Sequence, residues 1–112
     1  MSFYWSPAHH AVEHDDAEAL ARLLADGADP DEVSSNMTLL THAIDAEGDG
    51  SLQTGEPLTV HLIAVLLAFG ADPELADPDG RTPTDIAARY GHDLALNLLR
   101  AHINRRAAGS RS

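Results

Sequence analysis

The 112-residue chain contains no cysteine, which removes disulfide bonding and any thiolate metal site and leaves the redox compartment open. Aromatic residues are scarce, at 4%. The apolar content rests on Leu and Ala, not on the β-branched and aromatic residues that favour strands, so the expected fold class is all-α. Long hydrophobic runs are missing too. The longest, Val60 to Phe69, is interrupted by His61 and falls far short of the roughly 20 residues that span a bilayer. The opening MSFYWSPAHH has no basic segment followed by an apolar one, the layout of a secretory signal. A cytoplasmic protein with no membrane partner is expected. Basic residues are few, with 7 Lys and Arg against 18 Asp and Glu, and the formal charge is −11. That surface repels phosphate backbones, which argues against nucleic-acid binding, and would steer a basic protein partner.

What the chain does contain is an internal repeat. LLADGADPDE at 23–32 returns as LLAFGADPEL at 66–75, and each copy is preceded by a helix-opening segment, SPAHHA at 6–11 and TLLTHA at 38–43; RTPTDIA at 81–87 opens a third unit. Ser6 and Thr82 are suited to N-caps, and Pro7 and Pro83 fall at the first helical position, where a missing N–H is harmless. Ala11, Ala43 and Ala87 share one slot, small enough for neighbouring helices to approach closely. Leu20, Leu23 and Leu24, or Leu94, Leu98 and Leu99, recur at helical spacing in the second helix of a unit. Gly27 and Gly70 fit the position just beyond a helix end, where a positive φ is needed.

These openings and the G-A-D endings resemble the ankyrin repeat, whose T-P-L-H-x-A pattern they follow with departures. SPAHHA has Ser for Thr and Ala for Leu, TLLTHA lacks the Pro and the His, and RTPTDIA carries Asp85 where His is usual. The resemblance spans about residues 5–103. It implies a solenoid of three helix-turn-helix units joined by β-turn fingers, with units at about 6–36, 37–80 and 81–103. Phe3, Tyr4 and Trp5 in the 1–5 segment would cap the first unit or serve a partner, and 104–112 reads as a disordered tail. The resemblance also makes His9 a structural residue linking fingers, and His92 the opening of a second helix.

The middle unit is anomalous. Ser6 and Gly27 are 21 positions apart but Thr38 and Gly70 are 32 apart, so it is longer by 11 residues. The extra length, 45–56, is expected between the two helices, with Pro57 starting the next. Within it Asp45, Glu47, Asp49, Gly50, Ser51 and Glu56 match a calcium-binding EF-hand loop except for Glu47 at the third position. Calcium is therefore the one cofactor to consider, with Asp45, Glu47, Asp49, Ser51 and Glu56 as ligands. An acidic, Gly-rich solvated loop explains the same residues. His10 and His14 share a helical face but have no evident third ligand. The sequence holds no G-x-S-x-G, no phosphate-cradling glycine loop and no H-E-x-x-H, and no enzyme is expected.

The resemblance implies that a partner protein is bound through the concave face. Its variable positions map to Glu13 and His14, to Ser34, Ser35 and Met37, to Asp45 and Ala46, to Pro78, Asp79 and Arg81, and to Arg89 and Tyr90. Tyr90 and Arg89 are the hot-spot candidates; alternatively Tyr90 packs on its own unit and Arg89 pairs with Asp85. An inhibitor or immunity-type role fits the size, and the chain would be a monomer or a weak end-to-end dimer through its aromatic N-terminus.

Overall fold

The computed structural model describes residues 6–34, 36–54 and 59–109. Six helices follow one another: α1 (Pro7–Glu13), α2 (Ala17–Ala25), α3 (Leu39–Thr54), α4 (His61–Ala68), α5 (Pro83–Arg89) and α6 (Asp93–Gly109). Between α2 and α3 the short strands β1 (Val33–Ser34) and β2 (Met37–Thr38) pair antiparallel, Val33 opposite Thr38, as the finger of the second unit. The helices form the three expected pairs. The first helices α1, α3 and α5 pack side by side in one layer, and α2, α4 and α6 in another. Among the described residues no helix is long and apolar enough to cross a membrane.

Each first helix starts on a variant of one cap. Ser6 Oγ accepts the His9 amide. Thr38 and Thr41 satisfy each other's amides, at 3.0 and 2.9 Å, and Thr82 and Asp85 form a full capping box, each side chain accepting a donor that the first turn leaves unpaired. Thr41 and Asp85 stand in the slot where the first unit has His9. That exchange frees His9 to reach across to the next unit.

The helix ends repeat as closely. Gly27 and Gly70, at φ 108 and 96, close α2 and α4 with paired bonds: Gly27 N to Leu24 O and Ala28 N to Leu23 O, Gly70 N to Leu67 O and Ala71 N to Leu66 O. This is the two-bond ending that a left-handed residue permits. The same ending closes α1 through Asp15, at φ 55, and α5 through Gly91, at φ 64. Counting from the shared alanines, Glu47 holds that slot in the second unit. There the chain does not turn, and α3 runs on for 16 residues where α1 and α5 have 7.

Two expectations are corrected by this trace. Of the insertion expected as a loop at 45–56, residues 45–54 instead extend the first helix, and 55 and 56 lie outside the described residues. The tail expected from 104 is helical as far as Gly109, held by an Arg106–Asp72 ion pair at 2.7 Å. Phe3, Tyr4 and Trp5 lie outside the described residues.

The core lies between the layers. Ala11, Ala43 and Ala87 are buried as their shared slot requires, beneath Leu20 and Leu24 of α2, Ile63, Leu66 and Leu67 of α4, and Ala95 and Leu99 of α6.

Candidate functional site

The exposed side of the first helices and their fingers carries most of the expected binding residues. Glu13, His14, Pro78, Asp79 and Arg89 are exposed; Ser34, Met37, Asp45, Ala46, Arg81 and Tyr90 are half-buried. Ser35 and Glu56 lie outside the described residues, as do the side chains of Asp49 and Ser51. Several members of the set are held by neighbours in the fold. Arg81 is tied into its own finger, its Nε donating to Asp77 Oδ2 at 3.0 Å, while Asp77 Oδ1 accepts the amides of Asp79 and Arg81. Asp77, buried and absent from the sequence-based set, organises the turn that displays Pro78 and Asp79.

Tyr90 is not an open anchor. Its hydroxyl donates to Asp45 Oδ1 at 2.6 Å, and its ring lies against the backbone of Gly48 in α3, so it joins the third unit to the second. Arg89 makes no ion pair among the described residues, and Asp85, its proposed partner, is engaged by Thr82 at the helix start. Glu13, His14 and Asp79 are exposed but each has a neighbour in the fold: His42 Nε2 at 3.4 Å, His10 Nε2 at 3.1 Å and Arg81 at 3.8 Å.

Residues 45–54 of the expected calcium loop do not take a loop conformation. An EF-hand loop wraps its ligands around the ion, whereas residues 45–54 are helical. Successive helical residues turn by about 100°, so Glu47 points away from Asp45.

Beneath the binding face, His9 and His42 are buried and stacked, with Nδ1 atoms 2.8 Å apart. His9 Nε2 meets the Glu32 carbonyl at 3.2 Å, which accepts only. His9 is therefore protonated on Nε2, and its Nδ1 accepts from His42. On its far side His42 Nε2 lies 3.4 Å from Glu13. Burial pushes both imidazoles below the usual histidine value; the Glu32 carbonyl and the Glu13 carboxylate pull the other way but do not prevail. At these two histidines the unfolded chain binds protons more readily, so their contribution to stability should be fully present above about pH 6.5 and fall as pH drops below it. Thermal melts of His42→Gln against the parent chain check this: the parent should lose more of its melting temperature between pH 7 and pH 5.

A second cluster was not foreseen from the sequence. Glu47 is buried, its Oε2 accepting from Thr59 Oγ1 at 2.8 Å and lying 3.7 Å from His61 Nδ1, while His61 Nε2 meets Asp15 Oδ1 at 2.6 Å. Burial raises the Glu47 carboxyl to about 7, against the lowering effects of the Thr59 hydroxyl, His61 and the Leu62 amide; Asp15 adds to the rise. The signal available in the sequence was slot identity, since Asp15 and Glu47 occupy equivalent positions. Nothing placed His61 between them.

Caps, turns and shared alanine slots define a solenoid of stacked helix-turn-helix repeats. The family profile for ankyrin repeats, three copies, matches residues 9–107; the chain belongs to the ankyrin-repeat family. Its fold is similar to the crystal structure of an ankyrin repeat domain from Acinetobacter baumannii, with 31% identity and a TM-score of 0.70. The match covers 85% of this chain and 46% of that one, so this chain spans less than half of the solved protein. No curated protein matches. Ankyrin repeats are generic protein–protein interaction modules and typically non-catalytic.

Proposed function

We propose that this protein binds a basic protein surface through the exposed face of α1, α3 and α5 and the fingers that precede them, acting as an inhibitor or immunity-type partner of a toxin or enzyme. The observation that carries the reading is the state of that face. Glu13 and Asp79 present exposed carboxylates at two separated points, on α1 and on the third finger, each beside one basic neighbour, His42 or Arg81, and Arg89 is exposed without an ion pair among the described residues. The backbone beneath them is held by Asp77 and by the His9–His42 pair. Rigid display of exposed charge lowers the ordering cost of association and favours a partner of complementary sign. The formal charge of −11 adds long-range steering of the same sign.

Affinity capture from host lysate tests the reading, with the retained proteins identified by mass. The parent chain should retain a basic protein that 0.5 M salt releases, and the Glu13→Arg, Asp79→Arg double variant should lose it by at least about tenfold. An undiminished catch by the double variant sinks this face as the binding surface. Inhibition of the captured protein's activity would establish the inhibitor role, and full activity in the complex would remove it.

A further inference from the structure

The Asp15, Glu47 and His61 cluster lies at the C-terminal end of the first helices, away from the fingers that open them, and the interaction role makes no use of it. Three elements converge there: the turn between α1 and α2, the extension of α3, and the first residue of α4. With one donor atom taken from each residue, all three atoms lie within 4.8 Å of one another. The Glu47 side chain is only 2% exposed, yet its Oε1 has no hydrogen-bond partner among the described residues. A buried carboxylate oxygen without a donor is rare, because desolvating it is costly. The role of Glu47 as an acceptor at the start of α4 accounts for Oε2, which takes the Thr59 hydroxyl. The Leu62 amide also faces the carboxylate but makes no hydrogen bond of normal geometry to Oε1.

We propose that Asp15, Glu47 and His61 form a site for a divalent first-row transition ion, zinc fitting best, which clips the α1–α2 turn to the extension of α3 and the start of α4. The donor set selects the ion. Calcium and magnesium are bound by oxygen alone, whereas an imidazole with two carboxylates suits zinc, which takes three protein ligands and a water in open sites. At zinc–ligand distances of about 2.0–2.2 Å, tetrahedral donors stand roughly 3.3 Å apart. Binding therefore requires the donors, now within 4.8 Å of one another, to close in and one His61 nitrogen to turn toward both carboxylates, since Nδ1 now faces Glu47 and Nε2 faces Asp15. The side chains of His61 and Asp15, 43% and 65% exposed, have room to do so. That exposure also supplies the entry path and the water position. The insertion then has a purpose, because it carries the helix past the slot where the other units turn and so leaves Glu47 facing the start of α4.

Calorimetric titration of the full chain with zinc chloride, alongside calcium and magnesium chlorides, tests the site. The expected result is one zinc per chain, little response to calcium or magnesium, and a melting temperature raised by about 5 °C or more at zinc well above its Kd. His61→Ala and Glu47→Gln should each weaken zinc at least about tenfold, and circular dichroism in chelator verifies that both remain folded. The surface pair His10 and His14, whose Nε2 atoms are 3.1 Å apart, is the competing chelator, and His10→Ala, His14→Ala should bind zinc as the parent does. Failure of the parent chain to bind zinc, full binding by His61→Ala or Glu47→Gln, loss of binding in the His10, His14 variant, or calcium bound in preference to zinc would each overturn the assignment.

Discussion

Replacing Gly48 with alanine is expected to destabilise the protein by about 2 kcal/mol, although alanine is the better helix former by about 1 kcal/mol. Gly48 lies inside α3, and a Cβ there would stand 2.5 Å from Tyr90 Cγ, 2.6 Å from Cδ1 and 2.8 Å from Cδ2. The root of the ring is in the way, not the end of a flexible chain. Nor is the ring free to swing, because its hydroxyl is fixed to Asp45 Oδ1 and its backbone caps α5. Removing the ring should reverse the sign. In a Tyr90→Ala background, itself destabilised, Gly48→Ala should stabilise by about 1 kcal/mol, because only the helix preference remains. A urea-denaturation cycle over the four proteins measures the coupling. A Gly48→Ala chain as stable as the parent would mean that Tyr90 does not rest on α3.

The same contact explains why the insertion was misread. Asp45, Gly48, Asp49, Gly50 and Gly55 give the segment the composition of a solvated loop, and local preference points away from helix. The helix persists because Gly48 accommodates Tyr90, a residue 42 positions downstream that belongs to the next unit. No local pattern carries that information. The C-terminal extension of α6 is a parallel case: Arg105 and Arg106 look like solvated charges until Asp72 is seen opposite Arg106. What was legible lay in short-range chemistry. Caps at Ser6 and Thr82, the alanine slots and the glycine endings each depend on neighbours within one turn, and they recur in register. The binding set was carried over slot by slot, and so the partners that fold-specific residues such as Asp45 and Asp77 had already taken could not be seen in it.

Glu47→Gln is expected to raise stability at pH 8 in chelator by about 1–3 kcal/mol, a gain from a substitution at a buried, hydrogen-bonded position. In the parent chain burial lifts the carboxyl from 4.5 to about 7, which corresponds to a penalty of about 3 kcal/mol on holding it ionised. The sign follows from proton counting. Between pH 4.5 and 7 the folded chain holds a proton at Glu47 that the unfolded chain releases, so this contribution to stability grows as pH falls through 7 and levels off below 4.5. The groups facing it are the Thr59 hydroxyl and Leu62 amide at the start of α4, His61 on α4 and Asp15 from the α1–α2 turn. Glutamine keeps the shape and an acceptor for Thr59 but carries no charge, and so should lose that pH dependence. The buried His9 and His42 act in the opposite direction below about pH 6.5, and because they are common to both proteins their effect cancels in the difference between the two melting curves. That difference should favour the variant at pH 8 and shrink toward zero near pH 5. If it stays constant across that range, Glu47 does not change its charge in the folded protein, and its burial carries no electrostatic penalty.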